Sequence, residues 1–181
     1  RRSEPMTLVT LSEAEERELS RLSRFYWREA LRCEESKAYL AGSVMLGSAL
    51  EALLMLMVNV YENEVAATRA FPTRDSTPLP LLDWNLSQLL RVAKAAGWLP
   101  YALKMDGDWS GRKAKVGDYA EVSRMIRNLL HPGRYIKDHS PSRVTARYLA
   151  RQFEIVLLCR DWLAYQNDKS LKEHLREEGI L

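Results

Sequence analysis

The feature that most constrains this fold is a long apolar stretch, residues 38–60, in which Glu51 is the only charged residue. Its length is close to the roughly 20 residues that a membrane-spanning helix needs. Glu51 near its centre argues against lipid, as do the Ser and Gly residues along it and the lack of a second such stretch to pack against. We therefore expect no membrane span, and interpret the stretch as a core helix buried nearly all round.

Length and composition predict one globular domain. A chain of 181 residues fits a single core, and 46% hydrophobic against 28% charged residues excludes a disordered protein. The formal net charge is only +3, so a nucleic-acid site has to be a local patch. We assign residues 1–11 to an N-terminal tail and residues 12–181 to one helical domain.

Cysteine usage and motif content argue against several classes of protein. Cys33 and Cys159 lie in segments with helical periodicity, so we interpret them as core residues of a protein from a reducing compartment, the cytoplasm. Gly-rich phosphate loops, paired histidines with metal spacing and a Gly-x-Ser-x-Gly elbow are absent from the sequence. We expect no metal and no cofactor. The five tryptophans are interpreted as packing residues, and none is assigned to a site.

Apolar residues recur at helical spacing through most of the chain and predict an all-α, mostly antiparallel bundle of about five helices. The first helix is predicted over residues 12–33, opened by a capping box of Ser12 and Glu15. The second is predicted to run to about Ala70, before a proline-rich loop. The remaining helices are expected from an Asp83 cap to Gly97, from Asp118 to a stop at Pro132 and Gly133, from Ser140 and Pro141 to about Gln166, and briefly after Ser170.

The most distinctive polar residues cluster at the end of the fourth predicted helix. The run is Arg124-Met-Ile-Arg127-Asn128-Leu-Leu-His131-Pro132-Gly133-Arg134. On a helix, Arg127 and His131 are four residues apart and Arg124 is a further turn away, so all three share one face. Asn128 is the adjacent polar group, and Arg134 adds a further cation.

This combination of an Arg-Asn pair, two apolar residues and His-Pro, behind the long helix bearing Glu51, resembles the HEPN superfamily. The resemblance covers roughly residues 12–166. It implies a helical bundle that acts as an RNA-directed or nucleotide-binding component of a defence or stress module such as a toxin-antitoxin system. Nuclease members of that superfamily have an Arg, four to six residues and then a His, often with a polar residue after the Arg. Arg124 matches the spacing and Arg127 has the polar neighbour, so both remain candidates.

A functional hypothesis follows from the chemistry of these side chains. A neutral His131 imidazole could take the proton from a ribose 2′-hydroxyl while Arg127 or Arg124 binds the phosphate, which describes a metal-independent endoribonuclease. With one His in the motif of each chain, the general acid is unassigned. The resemblance implies that two motifs meet across a homodimer, so that the catalytic site is composite.

The alternative hypothesis is a non-catalytic helical interaction or scaffold module with a protein partner. Arg127 would then pair with Glu51 inside the bundle, and His131 would cap the C-terminus of its helix, where a cation is favoured. Under both hypotheses we expect Glu51 to be buried or half-buried and to face Arg124 or Arg127. RNA or a nucleotide and a second copy of the chain are the expected partners.

Overall fold

The computed structural model has an all-α fold, as predicted, over the residues that it describes. The described residues are 8, 11–98, 130–133, 136, 145–150, 152–154, 156, 157, 160, 161, 164 and 165.

Helix α1 comprises Glu13–Glu35 and begins as the capping box predicts. The Ser12 hydroxyl accepts a hydrogen bond from the Glu15 backbone N–H at 3.4 Å, and the Ser12 N–H donates to the Glu15 carboxylate at 2.8 Å. The hydrogen bonds from the Ser12 hydroxyl and backbone hold the pKa of Glu15 below its ordinary value. The N-terminal amide groups of α1 thus have partners at a fully solvated end.

Helix α2 comprises Tyr39–Val60 and forms an antiparallel hairpin with α1. Three contacts define the direction: Cys33 lies against Gly42 near the turn, the Ser23 hydroxyl donates to the Ala49 carbonyl at 3.5 Å in the middle, and Asn59 donates to Glu16 at 3.0 Å at the far end. The Leu11 N–H also donates to Asn59, at 2.7 Å. The residues just before α1 are thereby joined to the end of α2.

The prediction that α2 is the core helix is confirmed, but the helix is not buried nearly all round, since Leu40 and Val60 near its ends are exposed. It is long and apolar enough to cross a membrane, with a mean hydropathy of 1.8, but half of its residues are buried inside the protein. Leu46, Leu50 and Leu54 are completely buried. Burial of this apolar surface is the main stabilising contribution to the fold, at about 25 cal/mol per Å².

The predicted continuation of the second helix to Ala70 is wrong in one respect. The helix is interrupted at Tyr61, whose φ of −111° and ψ of 42° are not helical, and a separate helix α3 follows over Glu62–Thr68. Arg69 then adopts the left-handed conformation that ends α3. The break lets Tyr61 pack edge-to-face on Trp98, with ring centroids 5.8 Å apart.

The proline-rich connection contains more structure than the predicted loop. Strands β1 (Thr73–Arg74) and β2 (Thr77–Pro78) form a minimal antiparallel hairpin, and a short 3₁₀ helix follows over Leu81–Asp83. A two-residue hairpin loop requires positive φ at its central residues, and Asp75 and Ser76 have φ values of 50° and 65°.

Helix α4 comprises Leu86–Ala95, and its predicted N-cap was wrong. Asp83 ends the 3₁₀ helix, whereas Asn85 caps α4 through a reciprocal pair of hydrogen bonds with Gln88 at 2.8 and 3.2 Å. The predicted stop at Gly97 is confirmed, because Gly97 has a φ of 74° just after the helix. Trp98 packs back as a buried residue and donates to Glu64 at 2.9 Å.

A C-terminal helical segment, in which every described residue between 146 and 165 is helical, packs against α1 and α2. The helix predicted from Ser140 and Pro141 does not run unbroken, because Thr145 is non-helical and its hydroxyl accepts from the Tyr148 N–H at 3.3 Å. Thr145 therefore acts as the N-cap of this segment. Leu149 is completely buried and lies against Gly42 of α2.

Candidate functional site

The sequence-predicted motif is only partly within the described residues. Arg124, Arg127, Asn128 and Arg134 lie outside them, whereas His131 and Glu51 lie inside. Whether these side chains converge on one face therefore stays a prediction.

His131 is exposed, and its position in the chain differs from the prediction. Leu130 is in a turn and His131 is non-helical, which agrees with a helix end before Pro132, whereas the helical conformation of Pro132, Gly133 and Ile136 was not predicted. Proline suits the first position of a helix because the N–H that it lacks would have no helical partner there. The imidazole lies near Gly133, since a Cβ built on Gly133 would be 3.8 Å from Nδ1 and Cε1. An exposed imidazole beside a residue without a side chain is accessible to a large substrate.

Glu51 is half-buried on α2, as predicted. It follows the completely buried Leu50 in the chain. The arginine predicted to face it, Arg124 or Arg127, lies outside the described residues.

The described residues also contain a groove that the sequence did not lead us to expect. It has a volume of about 460 Å³ and lies between α1, α2 and the C-terminal helical segment. Three arginines and several apolar or small residues line it, and we call it the arginine groove. The lining residues are Ser23, Arg24, Trp27, Arg28, Ala49, Leu53, Val156 and Arg160.

The arginines of α1 divide into two groups. Arg17, Arg21 and Arg32 each form a salt bridge with a glutamate of the same helix. Arg24 and Arg28 have no carboxylate partner among the described residues, and these two line the groove. The Arg28 Nε donates to the Arg24 carbonyl at 3.4 Å, which leaves its terminal nitrogens available.

Trp27 is held in place by its neighbours at the groove. Its ring packs edge-to-face on Phe153, with centroids 5.4 Å apart and an interplanar angle of 87°. The Arg160 guanidinium lies 5.6 Å from the Trp27 centroid in a cation–π contact, and it also pairs with Asp161 at 2.9 Å. Trp27 is therefore a fixed aromatic wall that joins α1 to the C-terminal helical segment.

A signal for this groove was present in the sequence. Arg17, Arg21 and Arg32 each have a glutamate three or four residues before them, whereas Arg24 and Arg28 have no acidic residue at either helical spacing on either side. Because Trp27 was interpreted only as a packing residue, its position beside Arg24 and Arg28 was not recognised as part of a site. The contribution of Val156 and Arg160 could not be predicted from local sequence, because both lie more than 120 residues after the α1 residues of the groove.

The chain matches no protein-family model, and no curated protein or solved structure is significantly similar to it. Its function is therefore inferred from the chemistry of the arginine groove and of the segment around His131.

Proposed function

We propose that this chain is a cytoplasmic HEPN-like domain directed to RNA, and that the arginine groove binds the RNA phosphate. The observation that carries this is that Arg24 and Arg28, the two α1 arginines that line the groove, have no carboxylate partner among the described residues, whereas the other α1 arginines do. The sequence resemblance to the HEPN superfamily supports the same class of ligand.

Two adjacent arginines without counterions are unfavourable for a helix by themselves. Like charges four residues apart destabilise a helix by about 0.2 to 0.5 kcal/mol, because the side chains are neighbours on its surface. An anion bound between Arg24 and Arg28 removes that repulsion, and guanidinium groups match the geometry of phosphate oxygens. The apolar wall beside them, formed by Trp27 and Leu53, suits the base attached to such a phosphate.

RNA binding is tested by fluorescence anisotropy of a labelled single-stranded RNA with the full chain. The variant is Arg24→Ala/Arg28→Ala, and the matched control is Arg17→Ala/Arg21→Ala, which removes the same charge from the same helix. We expect the groove variant to bind about tenfold or more weakly and the control to stay within about twofold, since phosphate contacts dominate such affinities. Equal losses in both variants, or no binding by the wild type, would contradict RNA binding by the groove.

Cleavage of the bound RNA is a second candidate, favoured by the exposure of His131. In this metal-independent endoribonuclease, His131 is the general base for a ribose 2′-hydroxyl, and Arg124 or Arg127 binds the phosphate with Asn128 beside it. The 2′-oxygen attacks the phosphorus, the bond from phosphorus to the 5′-oxygen breaks, and the leaving 5′-oxygen takes a proton from solvent. The products are a 2′,3′-cyclic phosphate and a 5′-hydroxyl end. Two copies of the motif form the composite site of a homodimer, to which Arg134 contributes charge.

Cleavage is tested with purified protein and single-stranded RNA in the presence of a chelator. His131→Ala should abolish cleavage while RNA affinity and melting temperature remain unchanged, because a general base is required only in the reaction. Cleavage that persists in His131→Ala would exclude His131 as the base. Binding without any cleavage by the wild type would leave an RNA-binding interaction module.

A further inference from the structure

We infer that the arginine groove binds one terminal nucleotide as its phosphate monoester, with the phosphate between Arg24 and Arg28 and the base against Trp27. This inference rests on the proposed function and assigns the groove a narrower ligand: a free mononucleotide or the phosphorylated end of an RNA. Both sources present the same chemistry, a phosphate monoester on a nucleoside.

The charge of the groove favours a monoester over an internal phosphodiester. Arg24 and Arg28 together present two positive charges without a carboxylate partner among the described residues. A phosphate monoester carries a charge of about −1.5 to −2 near neutral pH, whereas a diester carries one. The terminal phosphate is therefore the group that neutralises both guanidinium groups.

The size of the groove favours one nucleotide over a length of strand. Its volume of about 460 Å³ lies in the range of small-molecule sites, roughly 300 to 1,000 Å³. Proteins that bind the interior of single strands instead use long tracks, and one fold of this kind covers about 4 to 16 nucleotides. Its described lining residues come from α1, α2 and the C-terminal helical segment, and Trp27 is the one aromatic residue among them, which matches a single base.

The third arginine differs from the other two in its surroundings. Arg160 already has a carboxylate partner in Asp161, and its guanidinium lies over Trp27. It adds less net charge than Arg24 or Arg28 does. We assign Arg160 to the base side of the groove, beside the Trp27 ring that its guanidinium contacts.

Isothermal titration calorimetry of the full chain with AMP, adenosine and inorganic phosphate tests this ligand directly. AMP should bind about tenfold more tightly than either fragment, because it uses the arginines and the aromatic wall together. Arg24→Ala/Arg28→Ala should lose the preference for AMP over adenosine, and Arg17→Ala/Arg21→Ala should keep it. Circular dichroism should show that both variants, changed only at exposed positions, remain helical.

Competition experiments distinguish a free mononucleotide from the phosphorylated end of an RNA as the ligand, and they distinguish a terminal-nucleotide site from RNA binding in general. Labelled RNA should bind more tightly with a 5′- or 3′-phosphate than without one if the ligand is an RNA end, and AMP should displace it. RNA that binds equally with and without a terminal phosphate, and that AMP does not displace, would overturn the terminal-nucleotide site while RNA binding itself stands. AMP that binds no better than inorganic phosphate would overturn it whether or not RNA binds.

Discussion

Gly42 lies where α1, α2 and the C-terminal helical segment approach one another closely. A Cβ at this position would lie 3.0 and 3.1 Å from the two Leu149 methyl groups and 3.2 Å from the Cys33 Cβ. Gly42→Ala should therefore lower the free energy of unfolding by about 1 to 3 kcal/mol, as overpacking does, despite the better helix propensity of alanine.

Chemical denaturation measures this effect, and Gly133→Ala is the matched control. Among the described residues, a Cβ on Gly133 would meet His131 alone, at an ordinary contact distance of 3.8 Å. An unchanged or raised stability of Gly42→Ala would show that the three helices are not packed as closely as described.

The surroundings of some individual residues were predictable from the sequence, and those of others were not. The half-burial of Glu51 was predictable, because one charge in a long apolar helix has to lie near the boundary of the core. That Arg24 and Arg28 have no glutamate partner on α1 was equally predictable from their spacing along the helix. The position of Arg160 over Trp27 was not, since it depends on how distant segments pack.

At the scale of elements, the N-terminus of α4 provides a test between two caps. Asn85 forms the capping hydrogen bonds, although the sequence favoured Asp83. Asn85→Ala should lower the free energy of unfolding by about 1 kcal/mol, the usual cost of losing an N-cap, and Asp83→Ala should have a much smaller effect. Thermal unfolding of the two variants decides between them, and a larger loss in Asp83→Ala would contradict the structure here.

The N-terminus of α1 should make stability depend on pH. The pKa of Glu15 is lowered in the folded protein by hydrogen bonds from Ser12, so the folded state favours the carboxylate. The contribution of the Glu15 carboxylate to folding stability is fully present above the pKa of a glutamate in the unfolded state. It is lost as the pH falls through the lowered pKa of Glu15 in the folded state. Ser12→Ala should reduce the fall in melting temperature over that acidic range.

Glu34→Gln is the control for this pH dependence, because Glu34 lies in the last turn of α1, far from the cap. NMR titration of Glu15 gives the same test without unfolding the protein. A carboxyl resonance of Glu15 that titrates identically in wild type and Ser12→Ala would contradict the capping box.

Helix positions were predictable from periodicity, whereas several boundaries were not. The Ser12 cap and the Gly97 stop follow from local chemistry that operates in isolation. The break at Tyr61 accompanies packing against Trp98, and the helical residues that begin at Pro132 were not predicted, although proline is well suited to begin a helix. Tertiary packing and the dual role of proline therefore account for these errors.

At the scale of the whole molecule, the surface around His131 suggests where a second copy would bind. Leu130 and Ile136, which flank it, are each 66% exposed. If the homodimer forms through this surface, Leu130→Glu/Ile136→Glu should convert a dimer to a monomer in light scattering, because charges are costly at an interface core. Leu82→Glu, at a residue 52% exposed elsewhere, should leave the dimer intact. A monomeric wild type would contradict the composite site.

The all-α class was predictable because the buried face of a helix produces a regular spacing of apolar residues along the sequence. The arginine groove was less so, because a groove exists only once three helices pack and bring Arg24, Trp27 and Arg160 together. A motif search could not find it, since its residues form no short contiguous pattern.

The most direct test of RNA binding by the arginine groove is the indole N–H spectrum of the ¹⁵N-labelled protein during titration with single-stranded RNA. Trp27 lines the groove, whereas Trp84 and Trp98 are 3% exposed and donate to Leu79 and Glu64 inside the protein. We predict that the Trp27 resonance, assigned with Trp27→Phe, shifts with RNA concentration while those of Trp84 and Trp98 stay in place. A saturated complex in which the Trp27 resonance has not moved would contradict the groove as the binding site.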